Sequence, residues 1–225
     1  MDIKKNIEEF KNFLIDKDCI LVAISKTKSN EEILEAYDSG LRDFGENKVQ
    51  ELIRKHDSLP GDIRWHMVGH LQRNKVKLIA SFVHLIHSID SPNLLTEIEK
   101  QGRIANRRIS CLLEVHIAEE ESKFGFNEDE VIGLINSDLV RRMDYVKISG
   151  LMGMATYTED ENKVRKEFRK LSNLFEKIKS FSLPENITMQ YLSMGMTGDY
   201  QIAVEEGSNM IRIGTAIFGE RNYNE

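Results

Sequence analysis

The sequence predicts an α/β fold, a single (β/α)8 barrel of the TIM type preceded by an extra amino-terminal helix. Three observations carry this prediction. Eight short strand-like runs recur along the chain, helix-start chemistry lies between them, and composition does not break over the 225 residues. Alternating strand and helix patterns close a parallel sheet covered by helices, and a closed barrel is the form that eight such units take. The chain is a little shorter than the roughly 250 residues usual for that fold. A doubly wound open sheet is the competing topology.

The opening helix carries Ile3, Ile7, Phe10 and Leu14 at helical spacing. The strand runs fall at residues 20–26, 43–45, 65–69, 83–88, 111–117, 146–152, 188–193 and 210–214. The first, from Cys19 to Lys26, is almost unbroken in apolar residues, as a parallel strand buried on both faces should be. Between the runs, Ser29 with Glu32 and Thr158 with Glu161 have the spacing of capping boxes, and Ser91 precedes Pro92 as an N-cap precedes the first helical residue. A helix from 161 to about 181 places Val164, Phe168, Leu171, Leu174, Phe175 and Ile178 on one face. With three prolines and no Gly/Ser-rich tract, residues 1–225 read as one domain.

Composition excludes several classes of function. Net charge is −6, and no basic block is interleaved with aromatics, which argues against nucleic acid as a partner. No stretch approaches the roughly 20 apolar residues of a membrane span. The amino terminus is charged and helical in period, unlike a signal peptide. Cys19 and Cys111 lie inside apolar runs, so buried reduced thiols are expected. A cytoplasmic location follows as the expectation.

Lys26 closes the first apolar run and is followed by Thr27-Lys28-Ser29-Asn30. In a parallel barrel, chemistry gathers beyond the carboxyl ends of the strands, where this lysine would stand. Partial desolvation there frees an amine lone pair for Schiff-base formation. A lysine snorkelling out of a strand end explains the residue alone just as well.

Two segments near the carboxyl terminus change that balance. Leu192-Ser193-Met194-Gly195-Met196-Thr197-Gly198-Asp199 follows the seventh run, and Ile211-Arg212-Ile213-Gly214-Thr215-Ala216 ends the eighth. Loops after strands seven and eight of such barrels often bind phosphate. Gly195 and Gly214 let backbone N–H groups approach an anion, while Ser193, Thr197 and Thr215 bring hydroxyls. Strand alternation turns Arg212 into the barrel, where its guanidinium needs an acceptor: an internal carboxylate, a phosphate or a ligand ring nitrogen. Asn47 follows the second run and has an amide to offer a ligand. His66 and His70 are four apart, but Gly69 breaks the helix that an HExxH zinc site requires, so no metal is expected. His84, His87 and His116 read as packed or hydrogen-bonded, and Lys123 as a further cation near the mouth or a surface lysine.

A lysine ending strand one, an inward arginine on strand eight and a phosphate site beside it together suggest pyridoxal 5′-phosphate. The chain resembles the pyridoxal phosphate homeostasis proteins, whose domain is similar to the barrel domain of alanine racemase (PLP fold type III). The matching strings are Val22-Ala23-Ile24-Ser25-Lys26-Thr27-Lys28, Phe44-Gly45-Glu46-Asn47, Trp65 through Lys75, Gly150-Leu151-Met152, Leu192 through Met196, and Ile211 through Gly219. They occur in the expected order across nearly the whole chain. The resemblance implies a Schiff base between the cofactor and Lys26. It implies phosphate contacts from Ser193, Met194, Gly195, Gly214 and Thr215, with Arg212 facing the pyridine nitrogen. It also places Asn47 near the ring and His66 in the pocket. His70 departs from the residues often found at its position, and Tyr37 and Lys48 vary behind the site.

The same resemblance implies a carrier that supplies cofactor to apo-enzymes, not a catalyst. A guanidinium beside the pyridine nitrogen weakens the ring as an electron sink, and racemisation needs an acid/base on each face. In alanine racemase-like enzymes one of these is a tyrosine from a partner's second domain, which a chain ending at Glu225 is expected to lack; a monomer is expected for the same reason. Tyr191 is expected to point away from the Ser193 face, and Tyr200 to begin a helix. The rivals are a small PLP-dependent amino-acid racemase and a class I aldolase with a lysine that attacks substrate directly.

Overall fold

A computed structural model of the chain describes residues 2–119 and 124–220. It is a closed barrel of eight parallel strands in the order β1 to β8, with β8 pairing back onto β1. The strands are β1 Ile20–Ile24, β2 Asp43–Glu46, β3 Arg64–Met67, β4 Leu85–Ile89, β5 Ile109–Val115, β6 Val146–Gly153, β7 Ile187–Ser193 and β8 Met210–Ile213. All eight expected runs form strands, with no end displaced by more than two residues. The open-sheet alternative is thereby excluded. The helices are α1 Ile3–Leu14, α2 Asn30–Asp38, α3 Val49–Ser58, α4 Pro92–Ile104, α5 Glu128–Ile135, α6 Asp138–Arg141, α7 Glu161–Lys179, α8 Tyr200–Glu205 and α9 Thr215–Phe218. A 3₁₀ segment, Arg73–Leu78, takes the place of a helix between β3 and β4.

Helix α1 buries Ile3, Ile7, Phe10 and Leu14, and α7 buries all six residues expected of its apolar face. The Ser29–Glu32 capping box is formed. The Thr158–Glu161 box is not. Asp160 stands one residue before the helix, and its carboxylate accepts from the N–H groups of Asn162 and Lys163, while Thr158 accepts from Asp160 N–H. A carboxylate at the N-cap satisfies those orphan donors directly and leaves Thr158 outside the helix. Ser91 is the N-cap of α4 ahead of Pro92, without a side-chain bond.

The inside of the barrel is a separate apolar cluster of Val22, Leu85, Leu112, Met152 and Met210, flanked by Ile20, Ile24, Met154 and Tyr191. Tyr191 therefore faces inward, on the same face as Ser193, which corrects the expectation that it points away. Residues two apart on a strand share a face. Its ring is partly buried and packs against the interior cluster. Tyr200 packs edge-on against Phe10 and Phe13 of α1, outside the barrel.

Gly150 has φ +149, and a Cβ there would lie 1.9 Å from the carbonyl oxygen of Tyr191. The register of β6 shifts on both sides at this point, so the backbone of β7 occupies the space that any side chain would need. Cys19 and Cys111 are free, with burial pushing the Cys19 thiol up to about 11 and that of Cys111 further. Among the described residues, no helix is long and apolar enough to cross a membrane.

Candidate functional site

The carboxyl ends of β6, β7, β8 and β1 open onto a cavity of about 820 Å³, a size suited to a small ligand. Ile24 and Lys26 line it from β1, Thr156 and Tyr157 from the loop after β6, and Met196, Thr197, Gly198 and Asp199 from the loop after β7. Arg212, Gly214 and Thr215 complete the wall from β8 and the start of α9.

Lys26 is partly buried and sits two residues beyond the last residue of β1. The residues on either side of it are fixed by a buried polar group behind the strand. Ser25 Oγ donates to Glu46 Oε1 at 2.6 Å, and the Lys55 ammonium reaches Ser25 O at 2.7 Å, Glu46 at 2.7 Å and Glu51 at 2.8 Å. Glu51 also accepts from Thr27 N–H at 2.6 Å, holding Thr27 at φ +65. Burial pushes the Glu46 carboxyl up, against the opposing charge and hydrogen bond of Lys55. The strand end that carries Lys26 is thus anchored from both sides.

Arg212 points into the barrel as strand alternation requires. Its Nη1 donates to Ser193 O at 2.9 Å and to Ser193 Oγ at 2.7 Å, and its Nη2 donates to Gly153 O at 3.2 Å. Burial lowers the guanidinium to about 10, while Asp199 and Glu114 oppose the shift; it stays a cation at neutral pH. Glu114, also buried near the mouth, is raised to about 7 by burial and by Asp90, against Arg212 and His70.

The expected phosphate residues divide. Gly214 and Thr215 line the cavity together with Lys26 and Arg212. Ser193, Met194 and Gly195 do not. The Ser193 hydroxyl is buried in the barrel interior, and Met194 packs into the core between strands and helices. Gly195, at φ +97, offers its carbonyl to Arg212 N–H at 3.0 Å. The residues of that loop that do reach the cavity, Met196 to Asp199, follow the Met194-Gly195 turn. Asn47 is partly buried and its backbone presses on Gly69, where a Cβ would meet Asn47 O at 2.5 Å; it is not part of the cavity wall. Lys123 lies outside the described residues.

His66 is buried in the interior and also stands off the cavity. Its Nε2 lies 3.0 Å from Asp43 Oδ1 and its Nδ1 lies 2.9 Å from His87 Nε2; His87 Nδ1 lies 3.2 Å from Ser193 Oγ. Arg64 donates to both oxygens of Asp43. Burial raises the Asp43 carboxyl, but the hydrogen bonds and charges of Arg64 and His66 more than offset this and hold it well below the usual range. Asp43, His66 and His84 bring ligand atoms within 4.8 Å of one another. The Arg64 cation already occupies the carboxylate, however, and His66 Nε2 is committed to it. His70 is elsewhere, bonded to Asp90 at 2.9 Å and stacked on Phe124. The residue that sequence reasoning passed over is Tyr157. Its segment follows Gly153-Met154, which reads as core filling, and no periodicity marks where that loop turns over the mouth.

The family model for the N-terminal domain of alanine racemase matches residues 1–222. A pyridoxal phosphate homeostasis protein of Aquifex aeolicus (strain VF5) is 41% identical over 204 residues, covering 90% of this chain and 87% of that protein. The chain belongs to the pyridoxal phosphate homeostasis protein family. Among solved structures, PipY of Synechococcus elongatus PCC7942 without PLP matches with a TM-score of 0.89 at 30% identity over 96% of this chain and 100% of PipY. PipY with PLP bound matches with a TM-score of 0.86 at 29% identity over the same shares. The barrel of this family is therefore the fold of the chain, and relatives of this kind are named as homeostasis proteins rather than as enzymes.

Proposed function

We propose that the chain binds pyridoxal 5′-phosphate at the barrel mouth, held covalently by Lys26, and serves as a carrier that buffers the cofactor and passes it to apo-enzymes. One observation carries the reading: Lys26 and Arg212 line the same 820 Å³ cavity as Gly214, Thr197 and Thr215. The cofactor supplies an aldehyde with which a primary amine condenses, with loss of water. Lys26 is the amine at the cavity wall. Arg212 is the donor for the pyridine nitrogen, and as a cation at neutral pH it leaves that nitrogen unprotonated. Thr197, Thr215 and the Gly214 backbone are the phosphate donors. Ser193, Met194 and Gly195 support them from behind, Ser193 by holding Arg212. Asn47 and His66 have supporting places around the strand ends. We take residues 1–225 as one barrel unit acting as a monomer in the cytoplasm.

The PLP-bound PipY structure and the family's name support this reading. Borohydride reduction of the protein mixed with PLP, followed by peptide mass mapping, tests it. A phosphopyridoxyl mass on the Lys26 peptide is expected. A label elsewhere, or none, overturns it. Tyr157 favours a second reading, a small amino-acid racemase, because a tyrosine and a lysine bordering one cavity are the residue types of a two-base exchange. Solvent deuterium entering Cα of D- or L-amino acids at ordinary enzyme rates would establish that reading in place of the carrier.

A further inference from the structure

We propose that His66 and His87 are positioning residues for Arg212: with Asp43 and Ser193 they form a hydrogen-bonded strut through the barrel interior whose direction is set at both ends. The proposal deepens the reading of Arg212 as the cofactor contact and rests on it.

The strut crosses five strands. It runs from Arg212 Nη1 to Ser193 Oγ at 2.7 Å, to His87 Nδ1 at 3.2 Å, from His87 Nε2 to His66 Nδ1 at 2.9 Å, and from His66 Nε2 to Asp43 Oδ1 at 3.0 Å. Its ends admit no choice of role. A guanidinium only donates, and a carboxylate held ionised by Arg64 only accepts. With both rings neutral, each intermediate assignment follows. His66 gives its Nε2–H to Asp43, so its Nδ1 accepts. His87 then gives its Nε2–H to His66, so its own Nδ1 accepts. The Ser193 hydroxyl donates to that nitrogen, and its lone pair is left for Arg212.

The surroundings keep the His87 ring neutral. His87 is fully buried, and burial, with the Arg212 cation nearby, holds its pKa well below 6.5. His84, whose ring centroid is 5.3 Å from that of His66, is lowered to about 4 chiefly by burial, with the Arg64 and Arg107 cations adding to the shift and Asp43 opposing it. Around the strut the interior is Val22, Leu85, Leu112 and Met152, where an unpaired polar atom is costly. Every member of the strut is paired. Removing the His87 acceptor frees the Ser193 hydroxyl to rotate, and Arg212 keeps only the carbonyls of Ser193 and Gly153.

Two measurements test the strut. In the cofactor-free protein labelled with 15N-histidine at neutral pH, NMR is expected to find His66 and His87 both as neutral Nε2–H tautomers. An Nδ1–H tautomer or a charged ring at His87 overturns the assignment, whatever the cofactor does. In the protein mixed with PLP, His87→Phe removes the acceptor, while His87→Asn keeps an oxygen close to the place of Nδ1. About a tenfold loss of PLP affinity and a shifted visible band are expected for H87F, with both largely restored in H87N. This sizes one lost buried hydrogen bond. A purely structural role would lower stability in both variants and leave the band unmoved. Asp43→Asn, at the far end, is expected to shift the band the same way by less, and serves if H87F does not fold. Wild-type protein that takes no PLP label sinks the proposed function but leaves the tautomer measurement standing. Wild-type labelling with an unmoved band and affinity in both H87F and D43N sinks the strut.

Discussion

At the amino end of the barrel, Arg64, Asp43, His66 and His84 crowd together, and the charged groups among them answer one another at hydrogen-bond distance. At the carboxyl end, Lys26, Arg212, Thr197 and Thr215 stand around an 820 Å³ cavity. The same strands build both ends, so the difference is not one of fold. The floor closes its polar groups on themselves and becomes a support. The mouth turns its amine, guanidinium and hydroxyls towards a common space and becomes a binding site.

The sharpest way to break this contrast is to remove the amine. Lys26→Ala is expected to abolish the borohydride-trapped label completely, with retained thermal stability, since the anchoring group of Ser25, Glu46 and Lys55 does not use the Lys26 side chain. A trapped label persisting in K26A would move the chemistry to another lysine.

The next largest effect belongs to the strand backbone that separates the two ends. Gly150→Ala places a methyl group 1.9 Å from Tyr191 O at a φ of +149. The obstacle is the backbone of β7, which has no flexible end to yield. A loss of at least about 3 kcal/mol in denaturant unfolding is expected, or failure to fold. Wild-type-like stability in G150A would mean that β6 adopts another register.

How much of this was legible in the sequence depends on how local each feature is. The eight strands were readable because buried parallel strands are continuous apolar runs, and Cys19 to Lys26 is such a run. Arg212 was readable from the alternation of Met210, Arg212 and Gly214. Tyr191 obeys the same rule: two residues before Ser193, it shares that residue's inward face. The strut was not readable, because His87 and Ser193 are 106 residues apart and only barrel closure brings them together. Nor was the division of the phosphate segment: Ser193 and Thr197 look alike as hydroxyl donors in the sequence. The turn at Gly195 leaves one inside the barrel and the other on the cavity wall.

Glu114 sharpens the contrast through pH. Its carboxyl is raised from 4.5 to about 7 in the folded protein. Below about 4.5 it is protonated folded or unfolded and contributes nothing. Between these values the folded chain holds a proton that the unfolded chain has lost, so stability falls as pH rises through this window, and the full cost remains above it. The loss is on the order of 3 kcal/mol at most. Glu114→Gln is expected to raise stability at about pH 8 while changing it little at about pH 4, read as denaturant midpoints. Equal effects at both values would assign the change to packing.

The smallest expected effect decides between the carrier and the racemase. Tyr157 is 99% exposed although it borders the cavity. A general acid/base must be held within reach of the proton it moves, and an almost fully exposed side chain has little packing to hold it there. Tyr157→Phe is therefore expected to leave PLP affinity and the trapped label within about twofold of wild type, and neither protein is expected to exchange Cα hydrogen. Should wild type exchange Cα hydrogen and Y157F lose it, the mouth is catalytic, and its difference from the floor is one of reactivity as well as of openness.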